Sequence, residues 1–162
     1  PFTVWSCVLV GIGLAAGRVR QSIAAGVVLA LAPLTAEALK PLLAHPHDSV
    51  GGVHVGAASW PSGHATAALA LAGAAYLIAP WRAKPFVAGL GAAFSAAVGL
   101  ILLILAWHMP SDVLGGYLVA GLWTALAAAA LRLGARRRSP GERQETTTAP
   151  PQLQPRPRWR PG

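Results

Sequence analysis

Apolar residues fall into five blocks along the chain, and short segments rich in Gly, Pro and charged residues separate them. The blocks cover residues 2–17, 23–39, 62–79, 86–107 and 112–133. A helix needs ~20 largely apolar residues to cross a bilayer. We therefore predict an all-α fold, a polytopic transmembrane bundle of about five spanning helices, of which the first block is short.

The composition agrees with this prediction and excludes some chemistry. Hydrophobic residues make up 54% of the 162 residues and charged residues 11%, whereas a soluble domain carries roughly 25% charged residues. The single cysteine, Cys7, excludes an internal disulfide and a cysteine-based zinc cluster. Because the chain begins with Pro1 and enters an apolar block at once, we expect further residues before it.

Basic residues predict how the helices are oriented. The net charge is +8, and the basic residues between blocks cluster where alternate helices end. The positive-inside rule therefore predicts an outer N-terminus and a cytoplasmic C-terminus, in a membrane that is expected to be a bacterial cell membrane. The clusters are Arg18 with Arg20, Arg82 with Lys84, and Arg132 with Arg136 to Arg138.

The chain is expected to form one membrane domain and a tail. We predict a helical bundle over residues 1–138 and a disordered basic, Pro-rich cytoplasmic tail over residues 139–162. The tail has no predicted chemistry. A weak contact with anionic lipid headgroups is the open alternative. We expect no nucleic acid partner, since the positive-inside pattern accounts for the charge.

All five histidines fall on the predicted outer side, where ionisable groups near lipid are costly and usually functional. The sharpest motif there is Pro61-Ser62-Gly63-His64. Pro followed by Ser predicts a helix start with Ser62 as N-cap, and such an N-terminus attracts anions such as phosphate. The alternative is an ordinary helix cap with an interfacial histidine.

A second motif starts at the last histidine and leads into the fifth block. His108 precedes Asp112 by four residues, so the carboxylate can turn back to the imidazole. A carboxylate on one ring nitrogen leaves the other nitrogen basic, as in a catalytic His–Asp pair. Pro110 suits the first turn of a helix, so the alternative is that Asp112 only caps that helix.

The third element is a lysine followed by a histidine-containing loop. Lys40 ends the second block on the outer side, where it can neutralise a phosphate or extend to the membrane interface. His45, His47 and His54 follow, and a metal site formed by them is the weaker alternative. We therefore predict no metal and no cofactor.

These three elements, in this order, resemble the type-2 phosphatidic acid phosphatase superfamily, which shares its site with acid phosphatases and vanadium-dependent haloperoxidases. The family pattern is a lysine followed by Arg-Pro, then Pro-Ser-Gly-His, then Ser-Arg with a later histidine and aspartate. The resemblance covers roughly residues 40–133. It implies a six-helix core, so the five blocks correspond to its last five helices.

The resemblance also implies a metal-free phosphoryl transfer through a phosphohistidine. Carried over, His108 attacks phosphorus, Asp112 holds His108, and His64 protonates the leaving oxygen. Lys40, Ser62 and Gly63 are implied to bind the phosphate oxygens. The implied function is a membrane lipid phosphatase at the outer leaflet, with a lipid phosphate or diphosphate as substrate and membrane lipids as surroundings.

Two motif positions depart from the family pattern. His47-Asp48 stands where Arg-Pro is expected, and Ile101-Leu102 stands where Ser-Arg is expected. Arg offers a bidentate fork that imidazole and leucine do not reproduce. The alternative function is therefore a catalytically silent member of the same fold that binds lipid phosphate or a membrane partner. A histidine-based metal transporter is disfavoured because the histidines lie at helix ends.

His45 and His47 occupy the place of the first missing arginine, so protonated imidazole is expected to replace part of its charge. We therefore expect phosphate release to have an acidic optimum, measured as initial rate against pH. His47→Ala should remove the acidic maximum. A flat or alkaline profile that survives this substitution contradicts the hypothesis.

Overall fold

The computed structural model describes residues 2–43 and 60–136, and within these ranges it contains five helices and no strand. This confirms the all-α prediction. The predicted border between bundle and tail, at residues 138 and 139, lies outside the described residues. The helices are α1 (Phe2–Ala15), α2 (Val19–Leu43), α3 (Gly63–Ile78), α4 (Lys84–Ile104) and α5 (Pro110–Arg136).

Several helix ends differ from the apolar blocks. The predicted end of the second helix at residues 39 and 40 is wrong, since α2 continues through Pro41 to Leu43. Helices in a membrane tolerate proline because neighbouring groups satisfy the freed carbonyls. The fifth helix starts at Pro110 rather than Asp112, as expected for a residue whose missing N–H costs nothing in a first turn.

Three of the five described helices are long and apolar enough to cross a membrane. These are α2, α4 and α5, with 25, 21 and 27 residues. The other two, α1 and α3, have 14 and 16 residues, and at about 1.5 Å per residue they are shorter than a hydrocarbon core of about 30 Å. Large apolar side chains also point outward, and on α4 they include Phe86, Leu90, Phe94, Leu100, Ile101 and Ile104. The chain is therefore a membrane protein.

The main core lies between α2, α3 and α5 and is built largely from small side chains. Fully buried residues include Ala25, Ala32, Ala70, Ala74 and Ala120. Small residues allow helix backbones to approach closely, and this is how helices gain packing energy in lipid. A polar contact adds to it, since the indole N–H of Trp123 on α5 donates to Thr35 Oγ1 on α2 at 3.0 Å.

One end of the bundle is held by the turn between α1 and α2. Gly17 has φ 71°, and the amide of Arg18 donates to the Gly13 carbonyl at 2.9 Å, which ends α1 in the usual left-handed glycine cap. The Arg18 guanidinium then donates to the last carbonyl of α3, Ile78 O, at 2.6 Å. Ser62 and Lys40 therefore lie toward the opposite end of their helices.

At that opposite end, α3 and α5 approach each other at Gly116. A Cβ atom there would lie 2.6 Å from Ser62 O, 2.9 Å from Thr66 Oγ1 and 3.0 Å from Thr66 N. Two of these three atoms belong to the backbone, so the contact cannot be relieved by rotating a side chain. Only glycine fits between the start of α3 and the first turns of α5.

We expect Gly116→Ala to lower the free energy of unfolding by about 1–3 kcal/mol, as other insertions into packed interiors do. Gly121→Ala on the same helix is the matched control, because a Cβ there meets nothing within 4 Å. Thermal unfolding in detergent measures both. A Gly116→Ala variant as stable as Gly121→Ala contradicts the close contact.

Candidate active site

The start of α3 has the predicted cap. Ser62 has extended backbone angles, φ −66° and ψ 117°, and its Oγ accepts from the amide of Ala65 at 3.4 Å. This confirms Ser62 as the N-cap. The amides of Gly63 and His64 belong to a first turn that offers no intrahelical acceptor. They are therefore suited to an anion at the end of the helix.

Two charged side chains of α2 reach the same place. A Cβ on Gly63 would lie 3.7 Å from Lys40 Nζ and 3.3 Å from Glu37 Oε1. The ammonium of Lys40 donates a hydrogen bond to that carboxylate oxygen, with which it forms an ion pair at 2.6 Å. The structure thus brings together three of the four predicted phosphate-binding residues, Lys40, Ser62 and Gly63, and it adds Glu37.

Glu37 is not among the site residues predicted from the sequence. Its spacing of three residues from Lys40 places both side chains on one face of a helix, where opposite charges attract. That spacing is the signal that would have identified the pair. It could not have shown that the pair lies against the start of α3.

His108 and Asp112 face each other across the first turn of α5. His108 Nδ1 lies 3.4 Å from Asp112 Oδ2, which is long for a hydrogen bond. The same oxygen accepts from the amide of Met109 at 3.0 Å. Asp112 therefore caps the helix and also faces the imidazole, and a catalytic role for the pair stays a prediction. With Nδ1 toward the carboxylate, Nε2 is the ring nitrogen left for a substrate.

A backbone hydrogen bond joins the two motifs. The amide of Ser62 donates to the carbonyl of Asp112 at 2.9 Å. Beside it, the indole of Trp60 lies so close to Gly115 that a Cβ there would be 2.6 Å from Nε1. The peptide bond between Trp60 and Pro61 is cis. The cap of α3 and the first turn of α5 are therefore held as one unit.

The chain reaches His108 through a tight turn after α4. The predicted helix over residues 86–107 is wrong at its end, because α4 stops at Ile104. The amide of Trp107 donates to Leu102 O at 3.1 Å and that of Ala106 to Leu103 O at 3.0 Å. This is a Schellman cap with Ala106 in the left-handed position, at φ 53°. A non-glycine residue there costs roughly 1–2 kcal/mol, which the surrounding packing must offset.

His64 lies one residue inside α3 and is exposed. Its ring centroid is 6.5 Å from that of Trp107, with the ring planes tilted by 56°. Trp107 directly precedes His108, so this contact places the predicted acid and the predicted nucleophile at the same end of the bundle. Exposure suits a group that must exchange protons with a leaving oxygen and with water.

The position of the second missing arginine is apolar. Leu102 is 4% exposed and packs with buried Ala65 and Val113. Ala65 lies in the first turn of α3, and Val113 follows Asp112. An apolar cluster therefore lies directly behind the motifs, in place of a guanidinium. Within residues 2–43 and 60–136, Lys40 is the only lysine or arginine at this end.

His47, predicted to bind phosphate, lies outside the described residues, as do His45, His54 and Asp48. No group of three or more potential metal-binding side chains occurs in the part of the chain that the structure describes. The alternative metal site formed by His45, His47 and His54 lies outside the described residues, so it stays a prediction.

The side chain of Asp112 is 1% exposed, so its partners hold a buried carboxylate. We expect Asp112→Ala to cost about 1–3 kcal/mol of unfolding free energy, since the Met109 amide loses its acceptor. Asp112→Asn, which retains an oxygen, should cost less. Leu114, on the same helix, is 61% exposed and provides the control, so Leu114→Ala should change stability by under about 0.5 kcal/mol. Equal melting temperatures for all three variants would exclude this role.

Comparison with known families relates this geometry to a phosphatase fold. A family model described as the PAP2 superfamily matches residues 21–134, a range that contains Lys40, the capped start of α3 and the His108–Asp112 pair. Searches of curated proteins and of solved structures gave no significant match. The match spans most of the chain and confirms the family that the motifs resemble. The protein is a membrane member of the PAP2 superfamily, a family whose general function is that of a phosphatase.

Proposed function

We propose that the protein is a membrane lipid phosphatase that hydrolyses a lipid phosphate or diphosphate at the outer leaflet through a phosphohistidine. The observation that carries this proposal is the Ser62 to Asp112 backbone hydrogen bond. It puts a helix N-terminus suited to phosphate beside an imidazole oriented by a carboxylate. Lys40 adds a cation against the same N-terminus.

In the first step, Nε2 of His108 attacks phosphorus while the bond from phosphorus to the lipid oxygen breaks. His64 gives its proton to that oxygen, so the lipid leaves as an alcohol or as a lipid monophosphate. The carboxylate of Asp112, 3.4 Å from Nδ1, stabilises the positive charge that develops on the ring. In the second step, water attacks the phosphohistidine, His64 takes its proton, and inorganic phosphate leaves His108.

Charge on the phosphoryl oxygens must be stabilised for this chemistry to be fast. Lys40 and the amides of Gly63 and His64 supply this stabilisation in the proposal, with His47 as a further donor from the loop. Gly63 matters because a side chain there would meet Lys40 and Glu37. The lipid nature of the substrate is supported by the apolar outer surface, which brings acyl chains to the site laterally.

A catalytically silent lipid-phosphate-binding member of the family is the second candidate. The observation in its favour is Leu102, which fills the expected arginine position with an apolar side chain at 4% exposure. Loss of a charged clamp costs about 10³–10⁵ in rate by analogy with arginine fingers. Binding of a lipid phosphate needs less charge than its hydrolysis, so a silent member would retain the cap of α3.

Membranes carrying the full-length chain should release phosphate from lipid phosphates in the presence of EDTA. His108→Ala should reduce release to background, because no other group takes the nucleophile's place. His54→Ala is the matched control, as a histidine without an assigned role, and should retain activity. Lipid phosphate labelled in its phosphate group should transfer an acid-labile label to the protein. The His108→Ala variant should not acquire that label.

Three other results would contradict this proposal or favour an alternative. Activity unchanged in His108→Ala would exclude the phosphohistidine mechanism. No release from any lipid phosphate, together with saturable binding of the same lipids, would favour the silent member. Inhibition by EDTA would instead favour a metal site in the histidine loop.

A further inference from the structure

Glu37 lies at the place where the proposed function requires an anion to bind. We propose that Glu37 is a specificity-determining residue. By neutralising Lys40 beside the start of α3, it lowers the site's preference for a doubly charged phosphoryl group over a singly charged one. The inference rests on the proposed function and deepens it. The lowered preference fits a lipid phosphate monoester, which carries less negative charge than a diphosphate.

Three groups converge at this point. Glu37 Oε1 is 2.6 Å from Lys40 Nζ, and both lie within 4 Å of the place where a Cβ on Gly63 would be. The two side chains differ in exposure, at 62% for Glu37 and 26% for Lys40. The carboxylate is thus the more exposed of the two charged groups, and an oxyanion that approaches Lys40 also comes close to its negative charge.

The charges of Lys40 and Glu37 beside the start of α3 nearly cancel. Lys40 contributes one positive charge and Glu37 one negative charge, leaving the partial positive charge of the α3 N-terminus, about half an elementary charge. Repulsion by Glu37 grows in proportion to the charge on the ligand. A doubly charged group therefore loses twice as much binding free energy to Glu37 as a singly charged one. Attraction to the α3 amides also grows with the charge on the ligand, so Glu37 reduces the advantage of the doubly charged group without reversing it.

A purely structural role for the pair is the competing explanation. Exposed ion pairs three residues apart on a helix contribute little to stability. Such a pair would leave the preference between ligands of different charge unchanged when Glu37 is altered. Ligand preference is therefore the property that separates the two explanations, and it can be measured without turnover.

Sulfate and methyl sulfate are suitable probes, since both are tetrahedral oxyanions that differ in charge and are not hydrolysed by phosphatases. Binding of each ion to the full-length protein in detergent is measured by equilibrium dialysis at one pH and ionic strength. We expect Glu37→Gln to raise the affinity for sulfate relative to methyl sulfate by up to about fivefold, the scale of an exposed charge pair. Lys40→Gln should weaken binding of both ions.

Two controls accompany these variants. Glu37→Asp retains the charge and should retain the wild-type ratio of affinities. Glu142→Gln makes the same chemical change in the predicted tail and should also leave the ratio unchanged. An unchanged ratio in Glu37→Gln overturns the proposal, and so does the absence of saturable binding of either ion to the wild-type protein.

Failure of this proposal is distinguishable from failure of the proposed function. Phosphate release in His108→Ala tests the mechanism and the affinity ratio in Glu37→Gln tests the charge selectivity, so the two tests use different variants and different measurements. If phosphate release survives His108→Ala while Glu37→Gln still shifts the ratio, the mechanism is wrong and the charge selectivity stands. If release depends on His108 and the ratio does not respond to Glu37, the reverse holds.

Discussion

The hydrogen bond from the Ser62 amide to the Asp112 carbonyl is the contact on which the candidate site depends. It joins residues 50 positions apart in the sequence at 2.9 Å, and it forms only because Gly116 lets the backbones of α3 and α5 meet. A buried amide and a buried carbonyl need partners, since unsatisfied backbone groups are costly in an apolar interior. The same bond that satisfies them holds the cap of α3 against the first turn of α5, which carries the predicted His–Asp pair.

In this bundle, the helix ends carry both the capping interactions and the predicted catalytic residues. Ser62 caps α3, and Asp112 accepts the Met109 amide at the start of α5 while it faces His108. A site built from caps adds few buried polar groups to an apolar fold. Each cap would be needed for stability in a protein with no catalytic function. The proposed activity and the stability would therefore be coupled at these residues, and only variants that separate them, such as Asp112→Asn, distinguish the two roles.

Much of the architecture was predictable because apolar blocks and helix-start signals are local properties of the sequence. Ser62 as N-cap and the contact between His108 and Asp112 depend on neighbours within four residues, and both were derived from spacing. The ends of α2 and α4 were missed because α2 continues through Pro41, which a membrane helix tolerates, and because a Schellman turn at Ala106 stops α4 early. The approach of Glu37 to Gly63 joins two helices, so no local pattern contains it.

The charge balance of the candidate site depends on two residues that act in the same direction. Leu102 removes a guanidinium from behind the motifs, and Glu37 offsets the charge of Lys40 in front of them. A buried guanidinium beside Ala65 and Val113 would need anionic partners, because an unpaired charge in such surroundings is costly. The apolar cluster is thus compatible with a weakly charged ligand and a weakly charged site. A ligand with more negative charge would require the cation that Leu102 replaces.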